Sequence, residues 1–323
     1  MKTYVLAGAM LVLACSGTSS AQDAGYPSKP ITLLVGFSPG GGTDQIARIL
    51  APKASEILKQ SIVIENRTGA SGVLAAQQVA KAAPDGYTLL MGHVSSNAMV
   101  PAIRSKMPYN AGTDFTPLSV VASVPQVVVV PMDSPAVDIK QFIRLAKTRP
   151  KHLNYASSGP GTQQHFAAEM FKTATQTEMV HVPYRGSGAA LVDLIAGQVD
   201  VNFDTLPSVF QQIKTKKLRA LAVTTRQRVA SLPDVPTLIE SGLSNYEISA
   251  WYMLMAPKGL PPALAQKISA AFIQAVTDPA TREKLEAVNT EVVGSTPEAA
   301  RVYLASEIAR WARLAKEKNI HEE

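Results

Sequence analysis

The chain has 323 residues, of which 46% are hydrophobic, and its formal net charge at pH 7 is +6. This composition predicts a large hydrophobic core, most simply divided between two domains. The Lys and Arg residues are scattered along the chain, so we expect no nucleic-acid-binding surface.

Residues 1–21 are predicted to be a secretory signal peptide. Lys2 supplies the positive charge, residues 4–14 supply a short apolar core, and Ser-Ser-Ala at 19–21 supplies a cleavage site. The only cysteine, Cys15, lies inside this segment, and a lipid anchor at Cys15 is the alternative. We expect an exported protein without a disulfide bond in either case.

A glycine-rich turn follows the first predicted strand, which covers residues 31–35. Gly40, Gly41 and Gly42 occupy this turn, and either Thr43 or Asp44 is predicted to cap the helix after it. The first N–H groups of a helix have no partner within the helix, and the helix dipole is positive there. This segment alone is compatible with an anion site and with an ordinary tight turn.

The order of strand, small-residue turn and helix then repeats, which predicts parallel strands joined by helical crossovers. A β-branched run at 120–130 is predicted to pass from one lobe to the other. We therefore expect a two-lobed α/β fold, with two mostly parallel sheets flanked by helices and a cleft between the lobes. Lobe one is assigned residues 22–130 and 246–323, and lobe two residues 131–245.

Catalytic and cofactor motifs are missing from the sequence. The segment from Gly40 to Gln45 lacks the last glycine of a dinucleotide-binding turn, and the chain contains no P-loop, nucleophile elbow or zinc-protease motif. The five histidines are not at metal-ligand spacing. We expect no cofactor and no metal, although His165, one turn into a helix, could serve as a general base in an exported enzyme.

Several predicted turns combine glycine with small hydroxyl side chains. Each comes after a strand and before or near a helix start, and ligands of such sheets bind beyond the carboxyl ends of the strands. Several turns meeting at one cleft would hold an anion by hydrogen bonds without a catalytic group. These turns are at residues 40–44, 69–72, 95–97, 157–162 and 186–188.

An ordered set of motifs resembles the substrate-binding proteins of tripartite tricarboxylate transporters, also called the Bordetella uptake gene family. The resemblance covers about residues 27 to 320. The motifs are Leu34-Val-Gly-Phe-Ser-Pro-Gly-Gly-Gly-Thr-Asp44, Val63-Ile-Glu-Asn-Arg-Thr-Gly-Ala70, Pro84-Asp-Gly-Tyr-Thr-Leu89, Tyr155-Ala-Ser-Ser-Gly-Pro-Gly-Thr162, His181-Val-Pro-Tyr-Arg-Gly-Ser187, Gly197-Gln-Val-Asp200 and Pro233-Asp-Val-Pro-Thr237.

This resemblance implies a periplasmic protein with the two-lobed periplasmic-binding-protein fold. Such a protein closes on a small carboxylate and delivers it to membrane transporter subunits. The implied ligands are dicarboxylates, tricarboxylates, aromatic acids and acidic amino acids, and we expect a monomer. Ser38 stands where many relatives have an apolar residue or proline. The ligand-binding residues implied by the motifs are Phe37, Gly41, Gly42, Thr43, Asp44, Ser95, Ser96, Ser158, Gly159, Thr162, His165 and Asp204.

Two of these residues have alternative roles, because a carboxylate repels a bound carboxylate. Asp44 is the more natural helix cap, and Asp204 could accept a ligand hydroxyl or amine or anchor a hinge. An enzyme using His165 and a purely structural or adhesive protein remain alternatives to the binding protein.

Overall fold

A computed structural model describes residues 25–317 and 320–321. The predicted signal peptide and Cys15 lie outside these residues. Within the described range, no helix combines the length and apolar character that a membrane crossing requires.

The strands predicted at residues 31–35 and 120–130 are both found, and the second extends further at its start than expected. The strands are β1 (Ile31–Val35), β2 (Ile62–Asn66), β3 (Thr88–His93), β4 (Phe115–Pro131), β5 (Asn154–Ser157), β6 (Val180–Pro183), β7 (Val201–Thr205), β8 (Leu218–Val223), β9 (Ser249–Pro257) and β10 (Glu291–Val292).

The predicted helices are also found, and a short additional helix, α3, follows a π-helical turn over Ser95–Met99. The helices are α1 (Gly42–Leu58), α2 (Val73–Ala80), α3 (Val100–Ile103), α4 (Ile139–Thr148), α5 (Gln163–Thr175), α6 (Ser187–Ile195), α7 (Leu206–Lys214), α8 (Pro262–Thr277), α9 (Pro279–Ala287) and α10 (Pro297–Glu317).

The strands form one continuous path in the order β2-β1-β3-β9-β4-β7-β5-β6, and β8 and β10 also pair with β4. The outer pairs of β1 with β2 and β3, and of β5 with β6 and β7, are parallel as predicted. Pairing around β4 and β9 is antiparallel, because β9 crosses back in the opposite direction to β4. The sheet is therefore mixed rather than mostly parallel throughout.

Strand β4 belongs to both lobes. Its first part pairs with β9 as far as Pro125, opposite Ser249, and its second part pairs with β7 from Gln126, opposite Thr205. Both faces of the second part are buried, so the valines alternate between two hydrophobic clusters. Val128 and Val130 pack in the larger cluster, which extends through both lobes, and Val127 and Val129 pack in the smaller one.

Candidate functional site

A small cavity, which we call the inner hollow, lies where the two lobes meet. Its cavity volume is about 20 Å³, close to the space that a single water molecule needs. Most of its lining residues lie at or just after the carboxyl ends of parallel strands, as the α/β architecture predicts. The lining residues are Phe37, Gly41, Gly42, Thr43, His93, Ser158, Gln163, Ser187, Thr205 and Tyr252.

The first turn of α1 forms one wall of the inner hollow. Gly41 is the N-cap residue and makes no side-chain cap bond, so the predicted cap at Thr43 or Asp44 is wrong. Asp44 is the third helical residue, and its side chain reaches back to accept a hydrogen bond of 2.9 Å from the N–H of Gly40. The turn is thus held from inside the helix, and the first helical N–H groups remain without a side-chain cap.

The carboxylate of Asp44 is fully engaged away from the inner hollow. It accepts hydrogen bonds from Arg48 Nε and from Asn66 Nδ2, each at 2.9 Å, in addition to the one from Gly40. Burial opposes its charge, but these hydrogen bonds outweigh burial and lower the pKa of Asp44. Asp44 therefore organises the turn and is not among the lining residues.

The missing side chain of Gly42 allows two hydroxyl groups to lie close to the start of α1. A Cβ atom on Gly42 would lie 2.7 Å from the Tyr252 hydroxyl and 3.0 Å from Thr205 Oγ1. Both distances are shorter than an ordinary contact of a carbon atom with these groups. Only glycine leaves space at this point between the helix and the two hydroxyl groups.

Asp204, in β7, does not line the inner hollow but contacts Ser187, which does. Its Oδ1 atom accepts hydrogen bonds from Ser187 Oγ at 2.9 Å and from the N–H of Thr205 at 2.7 Å, and its Oδ2 atom accepts one from Asn202 Nδ2 at 3.1 Å. Burial raises the pKa of Asp204 to about 6 despite these hydrogen bonds. The Ser187 hydroxyl donates its hydrogen atom to Asp204. A ligand in the inner hollow would therefore meet the oxygen lone pairs of Ser187 and not its O–H group.

The inner hollow offers hydrogen bonds without a full positive charge. None of its lining residues is Lys or Arg. His93 is buried, which lowers its pKa to about 3, and its Nδ1 atom accepts a hydrogen bond of 3.1 Å from the N–H of Ser95. The His93 ring is therefore neutral and contacts the rings of Phe37 and Tyr252, with centroid distances of 4.9 and 5.3 Å.

Serine side chains from lobe one hydrogen-bond lobe two around the inner hollow. Ser95 Oγ donates to Gln163 Oε1 at 2.9 Å and accepts from the N–H of Gln163 at 3.0 Å. Ser71 Oγ donates to the carbonyl of Pro160 at 2.6 Å, and Ser38 Oγ donates to a lobe-two carbonyl at 3.1 Å. These contacts hold the lobes in a closed arrangement.

Other predicted site residues build the loops instead of lining the inner hollow. Ser96 Oγ donates to Asn97 Oδ1 at 2.7 Å. Thr162 caps α5: its Oγ1 atom accepts from the N–H of His165 at 3.4 Å and donates to the carbonyl of Gly159 at 2.7 Å. Ser96 and Thr162 therefore stabilise the loops that carry lining residues and do not line the inner hollow themselves.

His165 lies in a stack of aromatic rings behind the cleft. Its ring centroid is 4.6 Å from that of His181, and its Nδ1 atom accepts a hydrogen bond of 3.1 Å from the N–H of Gly161. Burial lowers its pKa to about 4. His165 does not line the inner hollow. A general base at this position would therefore not contact a ligand bound there. The described residues contain no cluster of three potential metal ligands.

A second cavity, which we call the outer chamber, adjoins the inner hollow and has a volume of about 250 Å³. The two cavities share Phe37 and Ser158. Gly159 lines the outer chamber and not the inner hollow. The other lining residues are Gly36, Gly69, Ala70, Ser71, Gly72, Arg104, Pro160, Pro183, Tyr184 and Arg185.

Sequence reasoning identified Phe37, Gly41, Gly42, Thr43 and Ser158, which the structure brings together at the inner hollow. It missed five further lining residues. Ser187 lies in a turn that the sequence had marked, and Thr205 directly follows a predicted site residue. Nothing in the sequence distinguishes Tyr252 within the apolar run of β9. The remaining missed residues are His93 and Gln163.

The family model for the tripartite tricarboxylate transporter family receptor matches residues 46–320. A curated relative from Pseudomonas sp. (strain P51), a UPF0065 protein in the tcbD-tcbE intergenic region, is 38% identical over 98% of this chain and 94% of its own length. The family match therefore extends over nearly the whole described structure.

Solved structures of similar proteins have the same fold. Rpa4515 of R. palustris, solved with adipate, has a TM-score of 0.89 and 36% identity, and the match covers 92% of this chain and 99% of that protein. MatC from Rhodopseudomonas palustris, with bound malate, has a TM-score of 0.86 and 31% identity, with 89% and 99% covered. The predicted periplasmic-binding-protein fold is confirmed.

Proposed function

This chain belongs to the tripartite tricarboxylate transporter receptor family, and on that basis we propose that it captures a small carboxylate in the periplasm for a tripartite tricarboxylate-type transporter. We further propose that it acts as a monomer, that lobe two comprises residues 131–245, and that the rest of the mature chain forms lobe one. Members of this family are solute-binding proteins, and the two similar structures were solved with adipate and with malate.

The observation that carries this proposal is the inner hollow between the first turn of α1 and the Ser158 loop. Backbone N–H groups at the start of a long helix favour an anion through their hydrogen bonds and through the helix dipole. Gly42, which has no side chain, lets the hydroxyl groups of Tyr252 and Thr205 lie close to these N–H groups. A carboxylate seated here would also meet the hydroxyl groups of Ser158 and Thr205.

The size of the inner hollow supports a capture mechanism in which the lobes open and close. A cavity of about 20 Å³ has space for one water molecule and not for a carboxylate group, so the lobes would separate for the ligand to enter. The chain crosses between the lobes at β4 and again before β9, where the N–H of Ile248 donates to the carbonyl of Thr224 at 3.2 Å. Rotation about such crossing segments is the usual hinge closure of two-lobed receptors.

The geometry gives an exported enzyme less support than a receptor. His165, the general base of the enzyme alternative, accepts a hydrogen bond from the N–H of Gly161 and stacks on the ring of His181. The polar groups that line the inner hollow are amides, hydroxyl groups and His93. The Nδ1 atom of His93 already accepts a hydrogen bond from the N–H of Ser95, and burial lowers its pKa to about 3, so it is a poor base for activating a nucleophile. We therefore propose that the ligand leaves the protein chemically unchanged.

A thermal-shift screen tests the proposal. The panel contains monocarboxylates, dicarboxylates, tricarboxylates, aromatic acids and acidic amino acids. A ligand present at 100 times its dissociation constant stabilises the native state by about 2.7 kcal/mol, which raises the Tm of a protein of this size by about 5 °C. Mass spectrometry of the recovered ligand should find it unchanged. The proposal fails if no carboxylate in the panel shifts the melting temperature, or if a binding ligand is recovered as a reaction product.

A further inference from the structure

The outer chamber has a charge that the inner hollow lacks. Its charged lining residues are Arg104 and Arg185, and no Asp or Glu is among the described residues that line it. Arg185 is exposed, and no carboxylate of the described residues forms an ion pair with it within 4 Å. The main chain of Arg185 is fixed across the cleft, because its carbonyl accepts the hydrogen bond from Ser38 Oγ at 3.1 Å.

The walls of the outer chamber are shaped for a ligand that extends from the inner hollow. Phe37 and Ser158 form the junction of the two cavities. Phe37, Pro160 and Pro183 give the chamber apolar surface, which suits a hydrocarbon chain. A ligand with its first carboxylate in the inner hollow would therefore pass along apolar walls toward a cationic end.

One wall of the outer chamber is backbone held in an unfavourable conformation. The segment 69–72 has four consecutive positive φ angles, of 131°, 47°, 58° and 88°. Ala70 and Ser71 are not glycine, so their Cβ atoms make this left-handed conformation unfavourable. Such strain concentrates at ligand clamps, where the surrounding structure maintains it. Ser71 also carries the cross-lobe hydrogen bond to Pro160, so lobe closure completes this wall.

We propose that the outer chamber is a second carboxylate subsite whose cation is Arg185, so that the protein selects α,ω-dicarboxylates over monocarboxylates of equal length. This inference rests on the proposed function, because it requires the first carboxylate to occupy the inner hollow. A monocarboxylate of the same length fills the same space but leaves the guanidinium of Arg185 unmatched. Arg185 is then a specificity-determining residue for the length and charge of the ligand.

Isothermal titration calorimetry tests the inference with α,ω-dicarboxylates of four to eight carbons, adipate included, and with the monocarboxylates of equal length. The variants are Arg185→Gln, Arg185→Lys and the control Arg144→Gln, which removes an exposed positive charge on α4 away from both cavities. We expect Arg185→Gln to weaken binding of the preferred dicarboxylate by about two- to fivefold, as for an exposed ion pair. We expect its affinity for the matching monocarboxylate to change less than about twofold.

Two further readouts separate charge recognition from a structural role. Arg185→Lys should restore most of the dicarboxylate affinity, and added salt should weaken dicarboxylate binding more in the wild type than in Arg185→Gln. The control Arg144→Gln should behave like the wild type with both ligand classes.

Several results would overturn the inference. One is an Arg185→Gln variant that retains dicarboxylate affinity, or that loses affinity for both ligand classes equally. Another is a wild type that binds monocarboxylates as tightly as dicarboxylates, in which case the proposed function stands without the second subsite. If the wild type binds neither series, the inference is wrong, and the wider carboxylate screen decides separately whether the proposed function is wrong as well.

Discussion

The substitution Gly42→Ala places one methyl group in the inner hollow. The added carbon would lie 2.7 Å from the Tyr252 hydroxyl and 3.0 Å from Thr205 Oγ1. Tyr252 is almost fully buried, at 1% exposed, so it cannot swing into solvent. Forcing an extra methyl group into a packed site costs about 1 to 3 kcal/mol, which corresponds to a loss of affinity of about 5- to 150-fold.

The assay is calorimetric titration with the carboxylate that gives the largest thermal shift. Gly188→Ala is the matched control, because Gly188 also lies in the first turn of a helix and its added Cβ would be 3.8 Å from the nearest atom, the carbonyl of Pro39. We expect the control to bind within about twofold of the wild type. Circular dichroism verifies that both variants are folded. A folded Gly42→Ala variant with wild-type affinity would refute the assignment of the ligand seat.

Three further predictions concern pH, closure and the hinge. The folded-state pKa of Asp204 is raised from 3.8 to about 6, so its contribution to the free energy of unfolding should fall by about 3 kcal/mol as the pH rises through this interval. Urea denaturation from pH 4 to 7 should show this fall in the wild type and not in Asp204→Asn; equal pH profiles would contradict it. Ser71→Ala removes the cross-lobe hydrogen bond to Pro160 and should weaken ligand binding about fivefold by titration, whereas unchanged affinity would exclude a role in closure. Gln126 is fully buried in β4 with both side-chain polar atoms unpartnered among the described residues, so Gln126→Met should raise the Tm by about 2 °C or more, and a lower Tm would show that the amide is stabilising.

The sequence predicted the order of strands and helices because each element carries its own periodicity. The valines of β4 illustrate this: the β-branched run predicted a strand that passes between the lobes, and the structure adds that these valines alternate between two clusters. The direction of β9 could not be derived in this way, since an apolar strand has the same composition in either direction. The antiparallel pairing around β4 and β9 therefore appears only in the structure.

The candidate site was predictable where local chain geometry creates it. Gly42 and Ser158 lie in turns that follow strands, and this position alone brings them to the cleft. The prediction was wrong about the cap of α1, because Asp44 acts from inside the helix by reaching back to Gly40. The sequence also did not predict contacts between distant segments. The hydrogen-bond partner of Ser95, for example, is Gln163, 68 residues further along the chain.

A crystal structure of the protein with its tightest-binding carboxylate tests the central claim most directly. The account predicts one carboxylate group between the first turn of α1 and the Ser158 loop, within hydrogen-bonding distance of the N–H groups of Gly42 or Thr43. A ligand bound elsewhere, with only water between the Gly42 turn and Ser158, would contradict it.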